Sequence, residues 1–166
     1  MKNALIAACL LLHFVSSASA QGSTGPRHFI FFAHERERIT EPAFIDNPNI
    51  AGAQLKYTWR ELEPERDRYD FRSIERDLAV LAEHGKRLWI QLQDVSFSER
   101  QVVPHYLLTD PEFHGGVAHE AEDGRFRGLT ARRWDPAVRE RFAKLLRALG
   151  AQFDGRIEGI NTAETA

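Results

Sequence analysis

Asn161 and Glu164 stand three residues apart just beyond a short apolar run, and they are the most evident chemical groups of the C-terminal stretch. A carboxyl can give or take a proton, and an amide beside it can hold a polar ligand in place. Gln91 and Gln93 put two further amides on one face of another apolar run. Lys56 adds an amine and His34 an imidazole. Trp59, Tyr106 and Trp134 offer flat faces on which a ring can stack. Together these side chains could hydrogen-bond, stack and transfer protons, provided that the fold gathers them at one place.

The elements that must position them can be read from the hydrophobic pattern. Residues 28–33 form a buried-strand candidate that ends at His34. Residues 50–59 form a second, whose alternation sets Gln54, Lys56 and Thr58 on one face and Leu55, Tyr57 and Trp59 on the other. A helix follows, with Asp70 as its N-cap, a staple between Tyr69 and Ile74, the stripe Phe71, Ile74, Leu78 and Leu81, and Gly85 as the stop. Residues 87–93 make a third strand, with Leu88, Ile90 and Leu92 opposite Trp89, Gln91 and Gln93. Asp135-Pro136 opens another helix carrying Val138, Phe142, Leu145 and Leu149. A fourth strand follows Gly155. Strands alternating with helices predict right-handed βαβ units and a parallel sheet.

The connection from Asp94 to Trp134 is by far the longest, and the pattern predicts an irregular polar loop there. In βα barrels the loops that leave strand C-termini build the active face, so the asymmetry favours a barrel-type site. The expected fold class is therefore α/β, a (β/α)8 TIM-barrel type that stops after about four βα units.

Composition excludes several classes. With 166 residues and 43% hydrophobic content the chain suits one compact domain. Its 24 acidic and 22 basic residues are interspersed, which argues against a nucleic-acid partner. Residues 1–20 read as a signal peptide: Lys2, an apolar stretch from Ala4 to Val15, then Ala18-Ser-Ala20 as the cleavage pattern. That run is well short of the roughly 20 residues needed to cross a bilayer, so a secreted or periplasmic chain without stable membrane association is expected. Cleavage would take the single cysteine, Cys9, with it and leave residues 21–166 as one domain. Stability then rests on packing.

The phrase Trp59-Arg-Glu-Leu62-Glu63-Pro64, followed by Tyr69-Asp70-Phe71, resembles the second βα unit of bacterial beta-galactosidase-like glycoside hydrolases of the (β/α)8 retaining clan. Val103-Pro104-His105-Tyr106-Leu107-Leu108 in the long connection and Gly159-Ile160-Asn161 leading to Glu164 are similar to further phrases of that clan. The resemblance spans residues 51–166, the N-terminal half of such a barrel. It implies an acid/base glutamate at the tip of strand four beside an asparagine, with the nucleophile on strand seven. Glu164 would then be the acid/base and Asn161 its neighbouring sugar ligand. The clan places these two residues next to each other, whereas here Thr162 and Ala163 intervene. A retaining glycosidase needs two carboxyls about 5–5.5 Å apart, one protonated and one ionised.

On this reading Gln91, Gln93, Lys56, Trp59, His34, Tyr106 and Trp134 are substrate-binding candidates, the partner is a carbohydrate, and no cofactor or metal is implied. Each has a plainer alternative: a solvated carboxylate for Glu164, a turn residue for Asn161, an internal hydrogen-bond network for the glutamines, packing for Trp59. Glu158 falls on Ile160's face, where an ion pair with an arginine is expected. His114, His119 and Glu120 match no metal-ligand spacing. A second reading of the whole chain is a non-catalytic carbohydrate-binding or scaffold protein with a degenerate barrel.

Overall fold

The computed structural model describes residues 25–33, 35–98, 100–122 and 124–163. The expected signal peptide, His34 and Glu164 lie outside the described residues. In chain order the elements are β1 (His28–Ala33), α1 (Pro42–Ile45), β2 (Ile50–Thr58), α2 (Trp59–Leu62), α3 (Arg72–Glu83), β3 (Arg87–Gln93), β4 (Val95–Ser96), α4 (Tyr106–Thr109), β5 (Val117–Glu122), β6 (Arg125–Ala131), α5 (Pro136–Phe153) and β7 (Gly159–Thr162). One-turn 3-10 segments at Arg36–Thr40 and Pro111–Phe113 complete the set.

β1, β2, β3 and β7 form one sheet in that order, and every pairing is parallel. Parallel neighbours need crossovers, and α3 and α5 supply them between β2 and β3 and between β3 and β7. The return from β1 to β2 uses only the first 3-10 segment and the single turn of α1. The result is half of a (β/α)8 barrel. Among the described residues β1 and β7 each keep one unpaired edge, as a barrel opened between strands requires.

The side of the sheet that faces the helices is the core. Leu55, Tyr57, Leu88, Ile90 and Leu92 are fully buried there, against Ile74 and Leu81 of α3 and Val138, Leu145 and Leu149 of α5. The helical stripes read from sequence are thus the stripes that pack. α3 begins at Arg72 rather than directly after Asp70, although the Asp70 carboxylate still accepts the Arg72 backbone N–H at 3.1 Å. Asp135 caps α5 as expected, accepting from the N–H groups of Ala137 and Val138.

Two buried polar clusters tie the layers together. Tyr57 donates its hydroxyl to Asp77 at 2.8 Å, and Arg36 binds the same carboxylate oxygen at 2.6 Å while lying over the Tyr57 ring. Glu63 takes hydrogen bonds from the Trp59 indole N–H at 2.9 Å and from the Asp67 backbone, and it pairs with Arg141 of α5. Tyr106 and Asp67 hold the other guanidinium nitrogens of Arg141.

The stretch between β3 and α5 differs from the expected loop. It carries a three-stranded antiparallel sheet in the order β4-β6-β5, in which the Asp-Gly dipeptide at 123–124 lies between the paired residues Glu122 and Arg125. Asp-Gly is a preferred hairpin turn, and pairing across it satisfies the backbone that a loop would leave to water. His119 therefore sits in a strand, and His114 pairs with Asp135 at 2.8 Å. Among the described residues no group of three metal-ligating side chains occurs and no helix is long and apolar enough to cross a membrane.

Candidate active site

Alternation along the strands places Phe29 and Phe31 of β1, Gln54, Lys56 and Thr58 of β2, Trp89, Gln91 and Gln93 of β3, and Gly159 and Asn161 of β7 on the face opposite the core. In a closed barrel this face is the lumen. The register sets them in layers: Gln54 beside Trp89 beside Gly159, then Lys56 beside Gln91 beside Asn161, then Thr58 beside Gln93. Contacts agree with the layers, since the Lys56 amine lies 5.2 Å from the centre of the Phe31 ring and Phe29 meets Trp89 edge-on at 5.9 Å.

The lower layer is a floor. A Cβ at Gly159 would lie 3.3 Å from the Trp89 indole, so the bare backbone of β7 lets that ring lie across the sheet. The polar layer stands directly above. Gln91 is only 8% exposed, and its side-chain oxygen is buried without a hydrogen-bond partner among the described residues. The Asn161 side-chain oxygen is in the same state, and its amide nitrogen donates to the Thr162 carbonyl at 3.2 Å. Buried carbonyl oxygens without donors are costly, on the order of 1–3 kcal/mol each. The two stand in register on adjacent strands, toward their C-terminal ends. No acidic side chain stands on this face among the described residues.

The sequence candidates therefore divide. Lys56, Gln91, Gln93 and Asn161 come together on one face. His34 and Glu164 follow β1 and β7 but lie outside the described residues, so neither enters the geometry. Trp59 does not join the group: it is 0% exposed, hydrogen-bonded to Glu63 and packed edge-on against Phe142 at 5.0 Å. Its ring has no free face on which a sugar could stack, because β2 ends at Thr58 and α2 turns Trp59 toward the helices. Tyr106, half-buried, lies off the strand layers, with its hydroxyl accepting from Arg141 and its ring edge-on to Phe113. Trp134 is 63% exposed just before α5. Glu158 forms the expected ion pairs, with Arg27 and Arg87.

Asp94, at the tip of β3, was not singled out by its sequence context. It is fully buried, and burial pushes its carboxyl above the usual range despite the Arg133 guanidinium at 2.9 Å. Its backbone carbonyl accepts the Ala131 N–H at 3.1 Å, which fastens the small sheet to the end of the large one.

These features define the N-terminal half of a (β/α)8 barrel with a polar rim at the strand C-termini, the architecture of many glycoside hydrolases. Solved structures of that class share it. The catalytic domain of a beta-amylase from Paenibacillus polymyxa matches with a TM-score of 0.62 at 9% identity, over 82% of this chain and 36% of its own. A beta-galactosidase from the Antarctic haloarchaeon Halorubrum lacusprofundi matches with a TM-score of 0.55 at 18% identity, over 82% of this chain and 21% of its own. The GH5_18 enzyme of Bifidobacterium longum in complex with Manβ1-4GlcNAc gives a TM-score of 0.53 at 14% identity, over 83% and 33%. The likeness is one of fold, and this chain spans between about a fifth and a third of the length of those proteins. No protein-family model and no curated protein matches the sequence.

Proposed function

We propose that this chain supplies the acid/base half of an exported retaining glycoside hydrolase, with Asn161 as a sugar ligand and Glu164 as the acid/base carboxyl. The observation that carries the reading is the pair of unpartnered buried oxygens on Gln91 and Asn161, side by side at the rim of the lumen face. Sugar hydroxyls are donors that would satisfy them once the two amides turn toward the lumen. Lys56 and Gln93 flank the pair, and the Trp89 indole beneath it offers an apolar floor to a pyranose ring.

The chemistry sets a limit on what the 166 residues do alone. Retaining hydrolysis takes one carboxyl to protonate the leaving oxygen and a second to attack the anomeric carbon. The described lumen face carries neither, and Glu164 can fill only one of the two roles. The chain by itself therefore binds sugar without cleaving it.

Calorimetric titration with a β-linked disaccharide tests this. Binding is expected, and Asn161→Ala should weaken it about three- to tenfold, the worth of one or two hydrogen bonds. Absence of binding, or enzyme-like turnover of aryl glycosides by the purified chain, would overturn the reading.

A further inference from the structure

At the C-terminal end of β2 lies a cavity of about 620 Å³ walled by Thr58, Arg60, Glu61, Asp70, Arg100 and Gln101. It adjoins the rim, because Thr58 belongs to the lumen face one step above Lys56. The chain joins the two segments that carry these arginines: the Arg60 backbone N–H donates to the carbonyl of Val102, two residues beyond Arg100, at 2.9 Å, and both arginines line the cavity.

The charges of this wall are unevenly matched. Glu61 is held by Arg36 at 3.0 Å and Asp70 by Arg72 at 2.5 Å, so both carboxylates already have guanidinium partners. Elsewhere arginines find acids as well, as Arg133 does with Asp94, Arg141 with Glu63 and Arg156 with Glu75. Neither Arg60 nor Arg100 has a carboxylate within 4.0 Å or a side-chain hydrogen bond among the described residues. The Lys56 amine, on the adjoining face, rests against the Phe31 ring and has no carboxylate within 4.0 Å among the described residues. Gln101, whose side-chain oxygen is buried without a donor among the described residues, belongs to the same wall.

Two guanidinium forks that no carboxylate holds among the described residues suit an anionic group. The geometry points to a subsite for an acidic sugar, one bearing a carboxylate or a sulfate ester, seated between Arg60 and Arg100. The subsite deepens the carbohydrate reading above and rests on it. Because both guanidiniums are exposed, the preference is modest and sensitive to salt.

The test compares three ligands on the purified chain: a uronic-acid trisaccharide, the same trisaccharide carboxyl-reduced to the neutral sugar, and a sulfated analogue of the neutral form. The uronide, the sulfated analogue or both should bind about three- to tenfold more tightly than the neutral sugar at low salt, which is what two exposed ion pairs allow. Which of them gains identifies the anionic group. The preference should vanish in 0.5 M salt (roughly a 4 Å screening length) and in Arg60→Gln/Arg100→Gln, while the neutral sugar binds that variant as before. Equal binding of all three ligands, or a double variant that keeps the preference, refutes the acidic subsite and leaves the carbohydrate reading standing. Failure of every sugar to bind refutes both.

Discussion

Replacing Glu63 by alanine removes one carboxylate from beneath three donors at once: the Trp59 indole, the Asp67 backbone N–H and the Arg141 guanidinium. The Glu63 side chain is 0% exposed and that of Arg141 3%, so water cannot replace what is lost. Breaking a buried pair by deleting one partner costs about 3–5 kcal/mol, because the other charge stays behind without compensation. A domain holds a total of roughly 5–15 kcal/mol, so Glu63→Ala should take a large share of it. Asp67→Ala is the internal control. It removes the other carboxylate that holds Arg141, but Asp67 is an exposed partner and the loss should stay below about 1 kcal/mol. Urea unfolding followed by tryptophan fluorescence reads both variants, with Trp59 as a reporter inside the cluster. Equal destabilisation by the two would refute the claim that the Trp59–Glu63 phrase is a buried brace between β2 and α5.

Glu75 is held down to about 2 by hydrogen bonds from Arg156 and Gln152. A lowered carboxyl stabilises the fold above the unfolded value near 4 and loses that effect as pH falls through 2. A carbon-detected NMR titration should place the Glu75 midpoint near 2 and Arg156→Gln should raise it; a wild-type midpoint above 4 would contradict the contact. Asp94 has the opposite sign. Its raised value means that the protonated form is favoured in the fold, so its contribution is complete below the unfolded value near 4 and fades as pH rises through the folded one. Asp94→Asn should flatten the stability profile from pH 4 upward, and parallel profiles for variant and wild type would count against the assignment.

Much of this was written in the sequence. The four parallel strands are short apolar runs and the two long helices carry unbroken stripes, so local pattern and tertiary packing agree on them. Strand alternation even contained the fate of Trp59, which it grouped with Leu55 and Tyr57, the side that meets the helices. The small sheet was illegible for a physical reason. Past Val117, β5 is alanine, glutamate and histidine, and its strand state comes from pairing with β6 rather than from propensity. Asp94 was hidden for a related reason: its burial depends on Arg133 and Ala131, nearly forty residues away. A separation of 78 residues conceals the Glu63–Arg141 pair in the same way. Gln91 and Asn161 could be proposed because strand parity is local, whereas their being neighbours depends on β7 pairing with β3.

The side-chain amides of Gln91 and Asn161 give the most direct reading of the central claim, that the polar rim of the open barrel is where sugar binds. In a nitrogen–proton NMR titration with a β-linked disaccharide, the account predicts saturable shifts of both amide pairs together with the Trp89 indole signal, while Gln152 on α5 stays fixed. Shifts confined to Gln152 and the outer helices, with Gln91 and Asn161 unmoved, would contradict it.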